Sequence, residues 1–315
     1  FSLDNFDPYT EDFYTNFDGI LDGSLVLNNI YDYVDFLSEI EIENFKLNGT
    51  YLGQTNLNTL WNKERNAASL NLSIYNKENN LQPFNIYGYY YPQSETDNYD
   101  LFLNLSKFPA NAVESYLSSF SSSLVGDISG KLNIKGKTAS PEFSGILDMD
   151  IRKFKVDYLN TYYSFRDEMV FEPNKISFTN AKFYDEIHKK EDKNTALGDF
   201  ELTHKDFKDI AIDLKITPTD MLLLNTSSRD SEMFYGRAFG KGDVHIYGPL
   251  TALNFIVDVK TSSGTKVSIP IIYSYNAEKA DFITFVSPNA AIDSSKIKPV
   301  SMVNSEVEYT FNMDL

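Results

Sequence analysis

The residues best suited to chemistry are few and poorly spaced for it. The three histidines, His188, His204 and His245, belong to no H-E-x-x-H or comparable ligand spacing. His245 alternates with Val244 and Ile246, which puts it on the polar face of a strand. The stretch GRAFGKGD, residues 236–243, has the look of a phosphate loop. It is one residue short of G-x-x-x-x-G-K, lacks a Ser or Thr after Lys241, and enters a strand where a helix is required. Asp148 and Asp150 offer an acid and a base, but they stand at i, i+2 on the polar side of a strand beside Arg152, a common arrangement in an acidic chain. Neither G-x-S-x-G nor a dinucleotide fingerprint occurs. The absence of cysteine excludes disulfides, thiolate metal sites and a cysteine nucleophile. No residue set argues for an enzyme, and no cofactor or metal is expected.

The elements that would position any site are strands. In GKLNIKGKTASPEFSGILDMDI, Leu132 and Ile134 alternate with Lys131, Asn133 and Lys135. After a Pro-containing turn, Phe143, Gly145, Leu147, Met149 and Ile151 alternate with polar residues. That is a half-buried strand, a turn and a second half-buried strand. The same period runs through Leu70, Leu72 and Ile74, then Leu101, Leu103 and Leu105. It continues in Ile210, Ile212, Leu214 and Ile216, in Val244 and Ile246, in Phe255, Val257 and Val259, and in Val267, Ile269 and Ile271. The last run is Val307, Tyr309, Phe311, Met313 and Leu315. Roughly fifteen short strands are expected, joined by polar turns and by longer loops at PQSETDNYD, IHKKEDKNT and SPNAAIDSSKIKP. Only PANAVESYLSSFSSSL reads as a helix, with Val113, Tyr116, Leu117, Phe120 and Leu124 on one face and Pro109 at its start. A weaker helical turn is expected at PTDMLLLN.

The strands repeat. Gly130-Lys-Leu132-Asn-Ile134-Lys-Gly136 matches Gly242-Asp-Val244-His-Ile246-Tyr-Gly248, and the turns that follow have equal length. Ile42-x-x-Phe45-Lys46-Leu47 echoes Ile151-x-x-Phe154-Lys155-Val156. Hairpins that each expose one apolar face must stack to be stable. With strands about 4.8 Å apart, roughly fifteen would extend on the order of 70 Å. So little helix cannot cover that apolar face, and an acyl chain is a suitable occupant.

The chain has 315 residues and a net charge of -17. Such acidity repels phosphate backbones and anionic headgroups, which argues against nucleic-acid binding and electrostatic docking on a membrane. The 21 Tyr and 24 Phe, densest in IYGYYYPQ and YLNTYYSF, suit β-structure and cross-strand pairing. No apolar run is long enough to span a bilayer, and no signal peptide opens the chain. It begins FSLDNFDPYT and stops at EVEYTFNMDL inside an alternating run, so a piece of a longer protein is expected.

The ordered set LVGDISGKLNIKGKTASPEFSGILDMD, DYLNTYYSFRDEMVFEPNKISFTNAKFYD, TALGDFELTHKDFKDIAIDLKI, LLLNTSSRDSEMFYGRAFGKGDVHIYGPL and SSGTKVSIPI resembles the C-terminal domain of TamB proteins, in a form similar to those of the Bacteroidota. The resemblance is clearest from about Leu124 to Ile271. It implies an AsmA-like, bridge-type lipid transfer protein. The fold it implies is all-β: an elongated, twisted antiparallel or mixed sheet curled into a half-pipe, the β-taco, with an apolar concave face and one short helix. It also implies a periplasmic, non-enzymatic role, with an inner-membrane anchor outside this stretch and an outer-membrane BamA-type barrel as partner. The tasks it implies are phospholipid transport to the outer membrane and assembly of outer-membrane proteins.

On this reading 1–315 is part of one such domain. N-terminal strands fill 1–109, a helix 110–124, the best-matching repeats 125–286, a loop 287–304 and a last strand 305–315. The residues expected to face acyl chains are Leu132, Ile134, Phe143, Leu147, Met149, Ile151, Ile210, Ile212, Leu214, Ile216, Val244, Ile246, Phe255, Val257, Val259, Val267 and Ile269. Two alternatives stay open. One is a closed β-solenoid or scaffold module of a cell-envelope protein, with a full, dry core. The other is a fragment of an outer-membrane β-barrel, disfavoured here because barrel strands need about 9–11 residues and most runs look shorter.

Overall fold

The computed structural model describes residues 1–6, 15–28, 35–191, 193–231 and 234–270. The expected loop 287–304 and last strand 305–315 lie outside the described residues, as do residues 271–286. Among the described residues, alternation of apolar and polar side chains yields sixteen strands in one sheet. They are β1 (Phe17–Asn28), β2 (Asp35–Leu47), β3 (Thr50–Asn62), β4 (Ala67–Asn76), β5 (Leu81–Tyr90), β6 (Tyr99–Pro109), β7 (Leu124–Lys137) and β8 (Ser140–Val156). Then follow β9 (Thr161–Glu172), β10 (Lys175–Asp185), β11 (Ala196–Lys205), β12 (Lys208–Pro218), β13 (Met221–Thr226), β14 (Tyr235–Pro249), β15 (Asn254–Thr261) and β16 (Lys266–Ser268).

Each strand from β1 to β11 pairs antiparallel with the next in sequence, and β12 then pairs with β14. β12 and β13 share one edge of β14, while β15 and β16 share the other. Tight turns make this meander possible. At Asn48–Gly49 both φ angles are positive, 50° and 76°, the conformation that a two-residue hairpin with right-handed strand twist demands. The sheet is curled and, among the described residues, no ladder joins β1 to β15, so it is a half-pipe and not a closed barrel.

Two sequence expectations are corrected. The strands are not short: β7, β8 and β14 run 14, 17 and 15 residues. Strand length therefore gives no reason to set a barrel aside, and the open ladder is what speaks against one. The period looked broken because bulges interrupt it while the ladder continues. Register shifts fall between Ile42 and Phe45, Leu105 and Phe108, Ile151 and Phe154, and Phe178 and Ala181. Each inserts one extra residue, so both flanking apolar residues stay on one face. Asn44, Lys107 and Asn180, within three of these bulges, have φ of 54°, 51° and 55°. The echo of Ile42-x-x-Phe45 in Ile151-x-x-Phe154 is thus a repeated bulge.

The second correction concerns helix. Among the described residues it is confined to 3₁₀ stretches at Leu3–Phe6, Ala110–Leu117 and His188–Glu191. The expected helix 110–124 ends at Leu117. The serines that follow are poor helix formers, and Leu124 already pairs with Phe154 as the start of β7. Tyr116 and Phe120 are therefore exposed. The helical turn expected at PTDMLLLN is β13 instead, laddered to β14. No helix among the described residues is long and apolar enough to cross a membrane.

Candidate functional site

Antiparallel partners point to the same face of a sheet, so the registers trace one face across the molecule. Leu21 pairs with Ile42, Ile42 with Thr55, Thr55 with Ile74, Ile74 with Phe84 and Phe84 with Leu105. Leu105 pairs with Gly130 and Gly130 with Leu147. On the next strands Gly145 pairs with Phe171, Phe171 with Ile176, Ile176 with Leu202, Leu202 with Ile212 and Ile212 with Gly248. Two and four residues back along β14, Ile246 and Val244 pair with Phe255 and Val257. The result is a nearly unbroken apolar ladder on one side of the curled sheet. The other side carries Lys131, Asn133, Lys135, Asp213 and His245, with His245 Nε2 3.1 Å from Asp213 Oδ1.

The residues expected to line a trough fall on this ladder with unequal cover. Leu132, Ile134, Leu147 and Ile151 are buried, and Phe143 and Met149 pack half-buried against them. Ile210, Ile212, Leu214, Ile216, Val244, Ile246 and Val259 are half-buried. Phe255 and Val257 are 52% and 59% exposed. Val267 pairs with Gly236 and is exposed. Ile269 follows the end of β16 at Ser268 and is 65% exposed.

What separates buried from exposed is what folds onto the ladder. The 3₁₀ stretch Ala110–Leu117 lies on it, with Ala110 and Ala112 wholly buried among Leu52, Ile74, Phe108, Ile128 and Leu147. Asn48 Nδ2 donates to the carbonyl of Ala112 at 2.9 Å, and Glu114 Oε2 accepts the amide of Leu124 at 2.8 Å. This plug was legible in the sequence as the single helical pattern, although its polar tethers were not.

The second cover was not legible. β13 lies against the same face of β9 and β10. Tyr163 OH donates to the carbonyl of Leu222 at 2.8 Å, and the amide of Leu222 donates to Asp185 Oδ2 at 2.9 Å. Asn160 Nδ2 donates to the carbonyl of Asn225 at 2.8 Å, and the amide of Asn225 to the carbonyl of Leu159 at 2.9 Å. Met221 joins Tyr163, Phe178, Ala181, Phe183 and Ala196 in a second packed cluster. Asp185, the last residue of β10, lies there with no solvent exposure. Burial by itself would raise its carboxyl. Amide donors from His188, Leu222 and Ile187 and the His188 ring, 2.9 Å away, hold it below its ordinary range. Burial pushes the Tyr163 phenol up. One signal was present in the sequence: Asp185 and Asp167 stand in the apolar phase, beside Phe183 and Phe165.

Among the described residues, the remaining candidates from the sequence stay apart. Asp148 pairs with Arg166 at 3.4 Å on the polar face. No group of three or more His, Asp or Glu side chains among the described residues is placed to hold a metal. An open recess of about 570 Å³ beside the plug is lined by polar residues including Asn48, Asn111, Glu114 and Ser118, away from the exposed part of the ladder.

Residues 185–313 match the family model of the TamB C-terminal domain. The stretch 125–184, part of the sequence resemblance, lies outside this match, and the described part of it runs from the end of β10 through β16. No curated protein and no solved structure matches the chain.

Proposed function

Since residues 185–313 match the TamB C-terminal domain, we propose that the chain is a member of the TamB family of cell-envelope proteins and forms part of a non-enzymatic periplasmic lipid conduit. The observation that carries this reading is the register-continuous apolar ladder, which two local covers leave exposed at Phe255 and Val257. A bare apolar strip on a curled sheet is an aggregation hazard unless something occupies it. Acyl chains suit it, at about 0.8 kcal/mol per buried CH₂. A ladder of similar aliphatic rungs holds no single tight site, so a chain can slide, and no reaction is needed. Within the full-length protein the task is phospholipid transport to the outer membrane and support of outer-membrane protein assembly. An inner-membrane anchor and a BamA-type barrel would be engaged by other parts.

A second reading, a structural scaffold, draws on the two packed clusters that fill part of the concave face. One experiment separates them. Ile246→Asp and Val257→Arg place a charge on the ladder, where an acyl chain cannot pair with it and desolvation costs several kcal/mol; Lys131→Glu and Lys135→Glu are controls on the polar face. A conduit requires folded ladder variants that carry less lipid in an organic extract and fail to restore outer-membrane integrity. Normal lipid content and full complementation by folded Val257→Arg would refute it and leave the scaffold.

A further inference from the structure

β13 differs from every other long-paired strand in how it is held. One edge ladders to β14, with a register shift between Leu222 and Leu224. Its other side is fixed by five discrete hydrogen bonds, from Tyr163, to Asp185, from Asn160, to Leu159 and, from the Asn225 side chain, to Glu186. It follows a bend at Thr219 and Asp220, after which the chain leaves the path of β12. The neighbouring joins of the sheet form without it. β12 and β14 pair directly from Ala211–Pro249 to Ile216–Val244, and β10 pairs with β11 without it.

It also lies in the way. A molecule sliding along the ladder from the exposed rungs of β15 toward β8 meets β13 seated over Tyr163, Phe178 and Phe183. We propose that β13 is a displaceable strap, with Tyr163 and Asp185 as its latch, that must lift for an acyl chain to pass. This rests on the conduit reading. Lifting exchanges apolar cover for apolar cover, because the passing chain replaces Met221 and Leu223 against the same aromatic rings. It strands no buried charge either. Asp185 keeps the amides of Ile187 and His188 and the His188 ring when the Leu222 amide departs, so the costly outcome of an unpaired buried carboxylate is avoided.

The absence of cysteine makes the test clean. Leu159→Cys with Asn225→Cys replaces two residues whose backbones are joined by a hydrogen bond, and the pair is closed by oxidation to a disulfide or with a short bis-methanethiosulfonate, each reversed by a reductant. The closed and reduced forms of one preparation are each incubated with phosphatidylethanolamine–phosphatidylglycerol vesicles, and bound lipid is measured by mass spectrometry. The closed form is expected to load several-fold less than its reduced form, and Tyr163→Phe to load faster than the parent. In the parent, the amides of Leu222 and Asn225 are expected to exchange hydrogen well ahead of those of Leu132 and Leu214. Equal loading of closed and reduced forms, or strap amides that exchange only with the rest of the sheet, overturns the strap alone. A parent that takes up no lipid in any state overturns the conduit reading, and the lipid gate with it.

Discussion

The hydroxyl of Tyr163, on β9, donates a 2.8 Å hydrogen bond to the carbonyl oxygen of Leu222, on β13, 59 residues further along the chain. Both residues are buried, and the bond crosses between strands that are not neighbours in the sheet. It ties β13 onto the concave face, and several consequences can be measured.

Replacing Tyr163 by Phe keeps the ring in its aromatic cluster and leaves the Leu222 carbonyl without that donor. A buried acceptor left unmet costs about 1–3 kcal/mol. Urea unfolding of Tyr163→Phe should show a loss of that size with an unchanged slope, since the surface buried on folding stays the same.

Asp185 makes the fold acid-sensitive in a defined window. Despite burial, its hydrogen bonds lower its folded value below the unfolded carboxylate value of about 3.9. A depressed carboxylate contributes stability that is complete above the unfolded value and is lost as pH falls through the folded one. Thermal midpoints of the parent should therefore drop as pH is lowered from about 4, and those of Asp185→Asn should drop less over the same range. Parallel curves for the two proteins would show that Asp185 is not the group responsible.

The two matched repeats should fail alike. Gly130 and Gly242 sit at φ of 141° and 148°, and a β-carbon at either would run into a carbonyl oxygen of the neighbouring strand, of Ile146 or of Asp258. Alanine at a site with incompatible φ destabilises by more than the ~0.4–1 kcal/mol it contributes elsewhere. Gly130→Ala and Gly242→Ala should each lower the thermal midpoint by several degrees; an unchanged midpoint for either would break the equivalence of the repeats.

Equal pattern does not mean equal burial. Leu132 is 5% exposed beneath the plug, and Val257, the cross-strand partner of Leu132's counterpart Val244 in the second repeat, is 59% exposed. Leu132→Asp should cost several kcal/mol through an unpaired buried charge. Val257→Asp should fall within about 0.5 kcal/mol of the parent, as a surface change does. Chemical denaturation of the pair measures the contrast directly.

How much of this was readable follows from the range of the forces involved. The side-chain period of a strand is local, so the faces of Leu132, Ile134, Val244 and Ile246 and the equivalence of Gly130 with Gly242 were determined by the sequence alone. The plug was visible too, because one helical pattern stood among period-two runs. The bulge at Ile151-x-x-Phe154 was visible only as an echo, since a bulge is defined by the partner strand that lacks the extra residue.

Met221-Leu222-Leu223-Leu224 read as helical because a short apolar run has no period to distinguish helix from strand. Its ladder to Phe239 and Gly240 on β14 decided the matter. Asp185 stood in the apolar phase of its strand, but its donors come from Ile187 and His188 nearby and from Leu222 37 residues away. Which part of the ladder is covered was likewise a tertiary outcome. Alternation specifies the direction of a side chain, while burial depends on what the chain lays over it: Ala110–Leu117 reaches Leu132, and no described segment reaches Val257.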